Sequence, residues 1–143
     1  MTEITISPEY QAAALTASSI IEKHEKQAKG AATPDDLFWQ GSASSLLTGI
    51  IVYVVEKINK NESVGSPQAI YDIFENKETC HTKVVAICNE IVENPENPRL
   101  VDIAKFFLGM SEIVQKSIAQ MVSSALETKE EGMWQLLSQN NFA

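Results

Sequence analysis

Arginine is almost missing from this chain. Arg99 is the single guanidinium in 143 residues, and 19 acidic side chains against 11 basic ones leave a net charge of −8. That balance argues against sequence-neutral binding along a phosphate backbone, which needs a dense array of Lys and Arg, and leaves room only for a local nucleic-acid contact. Histidine is confined to His24 and His81, so a histidine-based triad or a two-histidine metal site has almost no material. Cys80 and Cys88 are the only cysteines. On one helix they would stand about 12 Å apart along the axis, too far to bridge. Two reduced core thiols suit a reducing cytoplasm.

Motifs that carry chemistry are missing too. There is no Gly-x-x-x-x-Gly-Lys-Ser/Thr phosphate loop, no Gly-x-Gly-x-x-Gly turn and no Gly-x-Ser-x-Gly elbow. Cys80-His81 offers two ligand types, but adjacent helical residues point away from each other, and no second pair has zinc spacing. We therefore assign no catalytic, cofactor-binding or metal-ligating residue, and expect no enzyme activity and no cofactor. Met1 to Ser7 has neither a basic n-region nor an apolar h-region, so no signal peptide is expected.

What is present is a folded domain. Apolar residues make up 44% and charged residues 21% of the chain, proportions of a globular protein rather than a disordered one. The length is that of one domain, residues 1–143. Ser7-Pro8-Glu9 reads as N-cap, N1 proline and first-turn acid. Ala13, Ala17, Ile20, Ile21, His24 and Ala28 then recur at helical spacing up to Gly30. Thr33-Pro34-Asp35-Asp36 opens a second helix, and Ser66-Pro67 a short third one with Ala69, Ile70, Ile73 and Phe74 inward. A fourth runs from about Thr79 to Glu93, and Asn97-Pro98 starts a fifth. Ser111 can cap a sixth, with Ile118 and Val122 on its apolar stripe, and Met133 to Leu137 make a short last helix. Only Glu3 to Ile6 alternates with period two. The spacing predicts an all-α bundle of about seven helices around a central apolar helix near residues 34–60.

That central helix carries the largest apolar load. Leu46, Leu47, Ile50, Ile51, Val54 and Val55 cover more than one face, as expected in the middle of a bundle. Leu37 to Val55 lacks charge for 19 residues, close to a membrane span. Its first half, however, holds Gln40, Gly41, Ser42, Ser44, Ser45 and Thr48, so burial in protein and no membrane insertion are expected. Phe38 and Trp39 read as core anchors, because a buried aromatic hides about 150–250 Å². The structural core then comprises Phe38, Trp39, Leu46, Leu47, Ile50, Ile51, Ile118 and Val122. On the surface, Glu127, Glu130 and Glu131 form an acidic cluster: a solvated face, or a docking patch for a basic protein.

Three stretches carry a family resemblance. Asp35-Asp36-Leu37-Phe38-Trp39 leads into Leu46-Leu47-Thr48-Gly49-Ile50-Ile51; Ser66 to Phe74 follows as a short helix; Phe106 to Leu126 contains Ser117-Ile118 and Ser124-x-Leu126. Their order resembles the all-α domain of TraG-type (VirD-like) coupling proteins of type IV secretion, where an Asp-x-Phe-Trp element precedes a Leu-Leu-x-Gly-Leu-Ile-like helix. The resemblance implies an inserted domain with its termini close together, excised from a larger hexameric ATPase whose motor domain is missing here. It implies a cytoplasmic location at the inner membrane and a role in conjugative DNA transfer. The partners it implies are a relaxase, accessory DNA-processing proteins or secreted effectors, with single-stranded DNA as a weaker contact. The competing expectation is a free-standing helical adaptor or regulator, which would have well-separated ends.

Overall fold

Proline opens four of the helices in the computed structural model, which describes residues 8–29, 34–59 and 67–127. Its fixed φ suits the first helical turn, where an amide hydrogen would have no intrahelical acceptor. The described residues form α1 (Pro8–Lys29), α2 (Pro34–Asn59), α3 (Pro67–Phe74), α4 (Cys80–Glu93), α5 (Pro98–Leu108) and α6 (Glu112–Glu127). Among them there is no strand. The segment expected to form a seventh helix, the strand-like ends and the relation between the termini lie outside the described residues.

Capping follows the sequence closely at two helix starts. Asn97 Oδ1 accepts from the amides of Arg99 at 3.1 Å and Leu100 at 3.4 Å, directly before Pro98. Ser111 Oγ accepts from the Val114 amide at 3.4 Å. Thr79 precedes α4 without a side-chain cap.

The core forms where α2 meets α1, α3, α5 and α6. Leu46, Leu47, Ile50, Ile51, Val54 and Val55 on α2 are buried, as are Ile118 and Val122 on α6. From α1 come Ala17 and Ile21, from α3 Ile70 and Phe74, and from α4 Val84 and Cys88. The Phe38–Lys57 stretch is long and apolar enough to cross a bilayer, and 56% of its most apolar window is buried inside the fold. Within the fold this stretch packs against α1, α3, α5 and α6.

Phe38 departs from expectation. It is 53% exposed, whereas Trp39 is half-buried and packs on the core. The rings meet edge to face, with centroids 5.4 Å apart and planes at 77°. The reason is helical phase. Trp39 shares a face with buried Ala43, Leu46 and Ile50, while Phe38 lies over exposed Gly41 and half-buried Ser45. Phe38 is therefore not a core residue; it flanks Trp39 at the surface.

Gly49 sets the approach of α2 to α5. A Cβ built there would sit 2.9 Å from Ile103 Cγ2 and 3.6 Å from its Cβ, so the clash falls on the branched base of the side chain rather than a flexible tip. Gly49→Ala should therefore lower stability by about 1 kcal/mol, the overpacking cost exceeding the gain in helix propensity. In an Ile103→Ala background the same change should become stabilising, as urea midpoints will report. Destabilisation of equal size in both backgrounds would mean that the Gly49–Ile103 contact does not set the α2–α5 distance.

A candidate docking cleft at the end of α2

The apolar surface of α2 gives way to a polar last turn. Tyr53, Glu56 and Lys57 stand at i, i+3 and i+4 and share one side of the helix. Together with Glu90 of α4 and with Glu96 and Asn97 of the α4–α5 turn, they line an open cleft of about 290 Å³. Three carboxylates face one ammonium there, so the cleft favours a cationic guest.

Its walls are held in place by side-chain bonds between elements. The Tyr53 hydroxyl donates to Glu90 Oε2 at 2.6 Å, and Lys57 Nζ donates to Glu90 Oε1 at 3.2 Å. The Lys57 ammonium also lies 5.2 Å from the Tyr53 ring centroid, within cation–π range. Asn97 Nδ2 donates to Glu56 Oε1 at 2.8 Å, while Asn97 Oδ1 caps α5. A single asparagine thus ties the end of α2 to the start of α5.

Tyr53 hydrogen bonding, reinforced by Lys57, holds the Glu90 carboxyl below the ordinary glutamate range, against a smaller opposing effect of burial. A group so shifted contributes stability above its unfolded pKa of about 4.3 and loses it as pH falls through the lower folded value. Glu90→Gln should therefore cost stability at pH 7, with the deficit shrinking as the pH drops below 4. Half of the carboxylate side chain is open to water, with 45% relative exposure, which keeps the effect small. A deficit that stays constant from pH 7 to pH 3, measured by urea denaturation, would show that the carboxylate charge plays no part.

Both thiols lie away from this cleft in the core. Cys80 and Cys88 are free and buried. Burial pushes the Cys88 thiol up to about 12 and raises that of Cys80. Both are thus protonated and unreactive near neutrality. Alkylation of the native domain at pH 8 should label neither cysteine on a timescale that labels both in denaturant; rapid native labelling would place a thiol at the surface.

A second cleft of about 270 Å³ lies between α3 and α6, lined by groups that include Asp72, Glu75 and Ser123. Ser123 Oγ donates to the Phe74 carbonyl at 2.6 Å and so satisfies an acceptor left over at the end of α3. Among the described residues no group of three or more His, Cys, Asp or Glu converges in a way that could hold a metal ion.

Of the acidic cluster singled out in the sequence, Glu127 ends α6. Its side chain, and Glu130 and Glu131 altogether, lie outside what is described. The acidic feature that the fold builds is the α2–α4 cleft, which charge patterning along the sequence does not reveal. Its members are 37 and 41 residues apart in the chain. The available signal is the Tyr53-x-x-Glu56-Lys57 ridge that follows the apolar run Leu46 to Val52 on α2. No protein-family model, curated protein or solved structure matches the chain.

Proposed function

We propose that this chain is the substrate-recognition domain of a TraG-type coupling protein of type IV secretion, acting in conjugative DNA transfer by protein–protein docking. The observation that carries this reading is the run from Asp35-Asp36-Leu37-Phe38-Trp39 into Leu46-Leu47-Thr48-Gly49-Ile50-Ile51, the pattern that resembles the family's helical domain. In this fold the run lies on one continuous helix, and its glycine is the residue that contacts Ile103.

The domain is inserted in a larger cytoplasmic ATPase, organised around α2 and closed by a seventh helix, with its ends adjacent. The motor domain supplies the hexamer and the nucleotide chemistry. The domain itself captures a relaxase, an accessory DNA-processing protein or an effector and raises its concentration at the pore. Acidic balance supports this role. Proteins that handle DNA are commonly basic, and opposite surface charge speeds encounter in a salt-sensitive way. The cleft bounded by Glu56, Glu90 and Glu96 offers a place for a basic side chain, as does the Glu127, Glu130 and Glu131 cluster in the sequence.

The test is capture from donor-cell lysate on the immobilised domain, beside a titration with single-stranded DNA at two salt concentrations. Retention of a relaxase or accessory protein is expected, weakened in the triple variant Glu127→Lys/Glu130→Lys/Glu131→Lys without loss of fold by circular dichroism. Strong, salt-dependent DNA binding with no protein retained would instead make the domain a nucleic-acid contact. Silence in both arms would favour a free-standing helical adaptor.

A further inference from the structure

Three helices meet at one buried amide. α5 ends at Leu108, the chain turns through Gly109, Met110 and Ser111, and α6 begins at Glu112. The last turn of a helix leaves carbonyl oxygens without intrahelical donors. Here Gln115, only 8% exposed, serves them. Its Nε2 lies within hydrogen-bond reach of the carbonyls of Phe107 at 3.0 Å, Leu108 at 3.2 Å and Met110 at 3.1 Å, which share its two hydrogens.

That arrangement fixes which way the amide faces. Reversed, Gln115 would point its oxygen at three carbonyl oxygens, a set of repulsions with no donor among them. Oε1 therefore faces the other way, toward His81 Nε2 on α4 at 2.8 Å. An amide oxygen only accepts, so the ring nitrogen opposite it must carry a hydrogen.

We infer that His81 is a positioning residue whose Nε2 carries the hydrogen that the Gln115 oxygen accepts. Acting through Gln115, it fixes the α5–α6 corner onto α4. His81 makes no contact with the corner carbonyls itself; it orients the amide that does. Loss of the ring would leave the buried Gln115 oxygen without its donor, a cost that falls on the corner rather than on the α1–α2 packing. The corner also governs display. Phe106 in the last turn of α5 is 57% exposed and Ile113 in the first turn of α6 is 79% exposed, so the lock sets how these two apolar side chains are presented. This inference stands apart from the secretion reading and survives its failure.

The first measurement needs no variant. Nitrogen-15 spectra of the neutral imidazole should show His81 protonated at Nε2 and bare at Nδ1; an Nδ1–H ring would overturn the proposal. The second compares amide exchange. Gly109 and Met110 donate to the Lys105 and Phe107 carbonyls across the corner. In His81→Ala they should exchange about tenfold faster, while amides of α1 and α2 stay within about twofold. His81→Gln, whose Nε2 reaches a similar position, should restore most of the protection. Uniform acceleration over all helices, unchanged exchange at the corner, or no rescue by glutamine would each reduce His81 to ordinary packing.

Discussion

A 26-residue helix with apolar side chains on most of its circumference cannot stand at a surface, and the rest of the domain is arranged to meet that constraint. α2 buries Leu46, Leu47, Ile50, Ile51, Val52, Val54 and Val55. Those side chains spread over about two thirds of the circumference at 100° per residue, so a single neighbour could not shield them. Four helices pack on it. On the α5 side the two backbones come close because Gly49 has no side chain to hold them apart.

Burying such helices raises the question of their polar groups, and several are answered locally or by a neighbour. Thr48, 3% exposed, donates its hydroxyl to the Ser44 carbonyl one turn back at 2.6 Å. Ser123 serves the end of α3, and Gln115 the end of α5. The two short helices, eight and eleven residues long, would be marginal alone. Side chains on α6 complete their C-termini, so secondary structure and packing are coupled. The polar last turn of α2 works in the opposite sense. Tyr53, Glu56 and Lys57 turn outward and bind α4 and the α5 cap, which gives the acidic cleft fixed walls.

In that cleft the Glu56 and Glu90 carboxylates are held in hydrogen bonds, and the Tyr53 and Lys57 contacts hold the Glu90 carboxyl below the ordinary glutamate range. An ionised, pre-oriented carboxylate is a good partner for a guanidinium or ammonium group.

Much of the fold was legible in the residue order. Proline with a preceding Ser, Thr or Asn marked helix starts, and the 3.6-residue spacing gave the six helices and most of their inward faces. These are local properties, set within one or two turns by backbone geometry and side-chain phase. The error at Phe38 shows where that reading ends: an aromatic one position out of phase with its neighbour was assigned to the core by its size. The acidic cleft, the Gly49–Ile103 approach and the His81–Gln115 contact were not legible, because each joins residues more than 30 positions apart. Sequence determined which surfaces had to be hidden. Only the tertiary structure decided which polar groups meet across the helices, because that depends on the packing phase and distance of whole helices.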